Sequence, residues 1–251
     1  MPNIFFDDWM DSQTPDPKAS ELVVLREKQS VGAAVTAAIR QAATDHLVGL
    51  EILKRIKAYP EAEAFLRNKV PSDKKVMSGD LGEILASEYI DQCTAYVVPV
   101  KRLRWKDDRN TTMRGNDVLA YERIKGGCRL LKAESKSRKS LQASVVGEAV
   151  EGLTKHRGRP NPSSMAFISA RLREIGDDKT AKLFEELQSG KLKPDSIEHL
   201  VFTFSENDPT EHLRAHIGKS SSRRRHLVGC RVADHQKFIK RTFANLNATK
   251  R

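Results

Sequence analysis

The sequence predicts an α/β protein in which helices flank a mixed β-sheet, with a helical segment ahead of that core. Three observations predict it. Apolar residues recur every three or four positions in several long stretches, the spacing of one buried helix face. Between two such stretches the period shortens to β-rich runs at 96–100, 117–121 and 128–134. Hydrophobic residues make up 39% and charged residues 31% of the 251, which is polar for a globular chain but apolar enough to pack a core.

Taken in order, residues 1–29 mix acids, Pro15 and Pro17 with an aromatic cluster, Phe5, Phe6 and Trp9, and read as an irregular arm whose rings pack on the protein's own surface. Val35, Ile39, Ala42, His46, Leu50 and Leu53 then mark one amphipathic helix ending near Tyr59 and Pro60. A short acidic helix at 61–67 stops before Pro71 and Ser72. Residues 1–77 are thus expected to form an arm and helical segment, and 78–251 the main domain.

That domain opens with a helix at 78–92, carrying Asp80 in its first turn and Glu83 beyond it. Three strands follow, the second and third joined at Gly126 and Gly127. Leu141, Val145, Val146, Ala149, Val150 and Leu153 return to helical spacing until Gly158, Pro160 and Pro162 end it. A helical hairpin at 163–187, strands at 199–204 and 227–232, and a last helix at 234–246 complete the chain.

Lys and Arg number 44 against 33 Asp and Glu, a net charge of +11 that favours a polyanionic partner. Apolar runs fall short of the ~18 residues of a membrane span. Asp7, Asp8 and Asp11 stand where a signal peptide carries positive charge, so a soluble cytoplasmic protein is expected. The cysteines, Cys93, Cys128 and Cys230, are isolated, against both a disulfide framework and a thiolate zinc site. His212 and His216 have helical zinc-ligand spacing but no third ligand nearby. The chain has no GxxxxGK[ST] loop, so any ATP use falls to another chain.

Asp117, Glu134 and Lys136, with Glu83 on the preceding helix, form the constellation best suited to chemistry. On a strand, alternate residues share a face, so Glu134 and Lys136 point together. If Asp117 opens the neighbouring strand, its carboxylate stands beside that of Glu134. Like charges so placed raise each other's pKa unless a cation joins them, and a hard divalent ion with oxygen ligands does so. Such a site hydrolyses phosphodiesters, with Lys136 holding the attacking water. The acid-x-Lys pattern also occurs at Asp16/Lys18, Asp73/Lys75 and Asp177/Lys179, but only Glu134/Lys136 ends a β-type run that follows another strand bearing an acid.

The helix–strand–strand–strand–helix order resembles the PD-(D/E)xK nucleases, with Asp117, Glu134, Ser135 and Lys136 on their motif. That resemblance implies a restriction-endonuclease-like fold and DNA cleavage that depends on Mg²⁺, with Mn²⁺ as an alternative. Asp117, Glu134 and the Ser135 carbonyl would be the ligands, and Glu83 a support. Residues 78–85, 114–117, 132–136 and 202–204 are similar to the HamA family of nuclease subunits from the Hachiman anti-phage system. This implies a helicase partner, HamB, that restrains the nuclease and releases it on abnormal DNA. Asn116 stands where the superfamily name has proline, and Val146 where the RecB-like branch has tyrosine after Gln142.

Around the site, Arg114, Arg138, Lys139, Lys155 and Arg157 are expected to hold the nucleic-acid backbone. Phosphate contact is also open to Arg102, Arg104, Lys106 and Arg109, and to the basic run 219–226. Two other functions fit the same residues: a binding module with a nuclease-like fold but no turnover, and a stand-alone restriction endonuclease.

Overall fold

The computed structural model describes residues 5–15, 21–56, 59, 61–191, 196–218, 223–244 and 246. Its centre is a six-stranded mixed sheet. The strands are β1 (Met10–Gln13), β2 (Leu22–Glu27), β3 (Val118–Ile124), β4 (Gly127–Arg138), β5 (Ile197–Ser205) and β6 (Arg225–Arg231), in the spatial order β1-β2-β6-β5-β4-β3. The inner strands β2, β6, β5 and β4 run parallel, and β1 and β3 close the two edges antiparallel. Every residue of β5 is buried, as expected for a strand covered on both faces.

Helices cover both faces. On one lie α1 (Phe6–Trp9), α2 (Ala33–Leu47), α5 (Lys74–Cys93) and α10 (His235–Phe243), whose apolar residues share a core with Ala133, Phe202, Phe204 and Val228. The other face packs α6 (Ala143–Thr154) and α9 (Thr210–Arg214) against Leu22, Val24, Val201 and Leu227. Beside them the hairpin of α7 (Pro162–Glu174) and α8 (Asp178–Glu186) covers Leu119, Leu130 and Ile197. The short helices α3 (Leu50–Ile56) and α4 (Ala62–Lys69) lie between α2 and α5 in the chain. No helix among the described residues is long and apolar enough to cross a membrane.

The strands at 117–121, 128–134, 199–204 and 227–232 agree with the periodicity, but several expectations change. The stretch at 96–100 makes only one bridge, Val97 with Tyr121, before a 3₁₀ turn at Arg102–Trp105. Pro99 removes a donor from that run, and β3 accordingly forms the edge of the sheet. The helix expected to run to Pro60 breaks at Gly49, whose φ of +88° ends α2 and re-aims α3; Pro60 itself lies outside the described residues.

The arm is not irregular at 10–13 and 22–27, where it supplies β1 and β2, and β2 pairs in parallel with β6. Residues on both sides of position 77 therefore share one sheet, and position 77 lies inside α5. Asp80, expected in the first turn, is correspondingly past the first turn of α5 and buried.

The aromatic cluster does pack inward. Trp9 is 0% exposed, stacks on Phe238 at 5.0 Å and donates its indole N–H to Glu27. The backbone N–H groups of Phe5 and Phe6 donate to the Gln92 side chain, locking the arm onto α5. Trp9→Ala should therefore cost about 3–5 kcal/mol of unfolding free energy, read from chemical denaturation. A loss below ~1 kcal/mol would mean that the arm is peripheral.

Candidate active site

The site forms where β4 outruns its neighbour. The last β3–β4 pair is Val118 with Ala133, so from Glu134 onward β4 has strand β5 on one side only. Asp117, one residue ahead of β3, fills the gap: its Oδ2 accepts the Ser135 backbone N–H at 2.9 Å. The N–H and C=O of one strand residue point to the same side. The Ser135 carbonyl thus faces the same open edge as Asp117.

Two helices approach β4 from opposite faces, each through a glycine. A Cβ at Gly82 of α5 would stand 2.8 Å from Ser135 Oγ, and one at Gly152 of α6 would stand 3.1 Å from Glu134 Cδ. The first contact would force Ser135 to shift and the second is tighter than most Cβ contacts, so glycine at both positions lets α5 and α6 lie close over β4. Burial pushes the Glu134 carboxyl up to about 7, and the Asp117 charge adds to it. Burial also pushes Glu83 up to about 7, against the opposing pull of Arg102.

Arg102 carries the clearest geometry in the site. Its Nε and Nη2 donate to the two Glu83 carboxylate oxygens at 2.7 Å each, Nη1 donates to the Arg114 carbonyl at 3.2 Å, and Nη2 lies 3.5 Å from Asp117 Oδ1. With Arg114, Asn116 and Ser164, these groups line a cleft of about 440 Å³.

Lys136 projects on the same face of β4 as Glu134 and lies 3.5 Å from Glu148 of α6, itself 59% exposed. Water screens so exposed a pair, leaving Lys136 available to a closer partner.

The structure therefore brings Asp117, Glu134, Ser135, Lys136 and Glu83 to one rim of the sheet. Two carboxylates and a strand carbonyl are a hard-oxygen donor set, and their mutual repulsion is what a divalent ion relieves, so these residues fit Mg²⁺ or Mn²⁺. Glu83 is committed to Arg102, and among the described residues no cluster of three His, Cys, Asp or Glu is arranged to hold a metal.

The expected nucleic-acid contacts are all exposed. Arg138 and Lys139 stand at the end of β4, Arg114 at the cleft, and Lys155 and Arg157 beyond the far end of α6. Phosphate contact by the 102–109 loop is not supported, because its cations are used internally. Besides Arg102, Arg104 pairs with Asp45 at 2.8 Å, Lys106 with buried Asp80 at 2.8 Å, and Arg109 donates to the Arg67 carbonyl. Trp105 packs edge-on against Phe167. Of the basic run at 219–226, positions 219–222 lie outside the described residues, while His226 pairs with Glu198 and Arg225 begins β6.

Two supporting residues escaped sequence reasoning. Lys132 is 0% exposed, and its ammonium donates to the carbonyls of Gly152, Leu153 and Lys155, capping the C-terminal end of α6 above Glu134. Strand alternation was its signal, since Lys132, Glu134 and Lys136 share a face. Asn116 accepts the Asn161 N–H at the start of α7, and its own N–H donates to Ser164. That side chain ties the turn before Asp117 to α7 where proline could not.

Because the folded-state pKa of Glu134 is raised from 4.5 to about 7, the unfolded chain releases that proton first as pH rises, and stability falls between those values. In chelator, Glu134→Gln should exceed the wild type in stability at pH 8 by about 1–2 kcal/mol, and the gain should shrink toward pH 5. An equal gain at both pH values would show that ionisation of this carboxyl is not its source.

Comparison with known proteins supplies the family. The family model described as HamA matches residues 3–246. A curated relative, the Hachiman protein HamA of Bacillus cereus, is 35% identical over 128 residues, covering 51% of this chain and 44% of the relative. The chain thus aligns with less than half the length of that relative. With the family model covering nearly every residue, including both strands of the arm and all the residues of the site, the chain belongs to the HamA family.

Proposed function

We propose that this chain is the metal-dependent DNA nuclease of an anti-phage defence system, restrained and activated by a helicase partner. The observation that carries the reading is Asp117 bonded to the Ser135 N–H on the open edge of β4, with Glu134 and Lys136 on the adjoining face. Asp117, Glu134 and the Ser135 carbonyl would hold Mg²⁺, which when bound acidifies water and offsets the charge that builds on a cleaved phosphodiester. Lys136, released from Glu148, would orient the attacking water and steady the phosphate. Arg114, Arg138 and Lys139 flank this rim and would guide the backbone to it, with Lys155 and Arg157 extending the path.

The defence role follows from family membership and from the Hachiman relative. The helicase partner HamB is proposed on the same ground, and the missing nucleotide-binding loop agrees with a motor on a separate chain. A second reading, a binding module without turnover, draws on the internal pairing of Glu83 with Arg102 and Lys136 with Glu148.

Plasmid degradation by the purified protein, alone and with its helicase partner, separates the two. Cleavage should require Mg²⁺ and stop in chelator. Lys136→Ala and Glu134→Ala should each lower its rate by at least ~100-fold, with folding intact by circular dichroism. DNA held equally well in Mg²⁺ and in chelator, with no product from either preparation, would favour the binding module.

A further inference from the structure

We propose that Arg102 is a tethered internal cation that competes with the divalent ion for this site, so that its guanidinium sets metal affinity. The inference rests on the metal-dependent reading above and concerns the region that Asp117 and Glu83 face together.

The geometry is specific. Asp117 Oδ2 is occupied by the Ser135 N–H, which leaves Oδ1 as its oxygen for an ion, and Arg102 Nη2 lies 3.5 Å from that atom. The same nitrogen and Nε donate to the two oxygens of Glu83, so Arg102 bridges the carboxylate that α5 brings to the site and Asp117. The guanidinium is nearly buried, with 12% of its side chain exposed, and little water screens it.

Nor is Arg102 placed by chance contact. Its neighbours anchor the 3₁₀ turn from both sides: Lys101 bridges Asp45 and Glu88 at 2.8 and 3.0 Å, and Arg104 pairs with Asp45. Glu88 also meets buried His46 at 2.9 Å and accepts from the Gln92 amide at 2.9 Å. The turn is therefore pinned to α2 and α5, and it delivers one permanent positive charge into a group of carboxylates.

A fixed monovalent cation in that position holds the acids together without metal and opposes entry of a second cation. Removing it leaves Glu83 and Asp117 without the guanidinium that they share, while Lys132 and Lys136 remain beside Glu134, and this strengthens the draw on a divalent ion. Arg102→Lys keeps the charge but not the fork that spans Glu83 and reaches Asp117.

The test is Mn²⁺ binding to metal-free protein without DNA at pH 8, read by electron paramagnetic resonance, together with melting temperature in chelator and in Mg²⁺. Mn²⁺ affinity should rise in the order wild type, Arg102→Lys, Arg102→Gln, with at least tenfold between the ends of the series. Glu134→Gln should remove the bound ion and so identify the site. Arg102→Gln should melt below the wild type in chelator and recover most of that deficit in Mg²⁺.

Equal affinities across the series, or a deficit that is the same with and without Mg²⁺, would make Arg102 a structural residue only and overturn the proposal. If Arg102→Gln does not fold, the comparison of Arg102→Lys with wild type decides, a threefold gain supporting and no gain overturning. Should none of these proteins bind Mn²⁺, the metal-dependent reading falls and takes the proposal with it, whereas equal binding by all overturns the role of Arg102 alone.

Discussion

Three carboxylates gathered near one guanidinium are the constraint on which the rest of the site depends. Glu83, Asp117 and Glu134 come from a helix, a strand entrance and a strand, and nothing in local structure would keep such charges together. Arg102 offsets part of their repulsion through its bidentate contact with Glu83 and its approach to Asp117. Desolvating these groups costs free energy that only paired partners recover, so the surrounding framework must hold each partner in place.

That framework is visible on both faces of β4. Gly82 and Gly152 let α5 and α6 approach β4 closely, at Ser135 on one face and at Glu134 on the other. Lys132, buried below Glu134, fixes the end of α6 through three carbonyls, and burial lowers its ammonium to about 8. Lys106 does the corresponding work one turn before Glu83, pairing with buried Asp80. These lysines and arginines read as surplus charge in the sequence, yet many are consumed inside the protein. The net charge of +11 therefore overstates how many cations are free at the surface, where Arg114, Arg138 and Lys139 are exposed.

Much of the fold could be read from residue spacing. The helices at 78–92 and 141–153, the hairpin of helices beyond them and the strands at 199–204 and 227–232 follow from period and punctuation, because each buries an apolar face against the sheet. The arm defeated this reading. Leu22–Glu27 is a short run next to acidic and proline-rich sequence, and it becomes a strand only because the exposed edge of β6 is there to pair with it. The run at 96–100 failed in the opposite sense: its residues favour a strand, but it meets β3 at a single bridge and then turns away.

Residue type and strand alternation alone determined that Glu134 and Lys136 share a face and that an acid stands at the entrance of the preceding strand. Tertiary structure decided which charges the site contains. Arg102 and Glu83 are 19 positions apart, and Asp117 and Ser135 18, so their contacts depend on how α5, the 3₁₀ turn and the hairpin pack rather than on any local period. Periodicity reports which face of an element is buried, whereas a counter-ion is assigned only when separate elements meet.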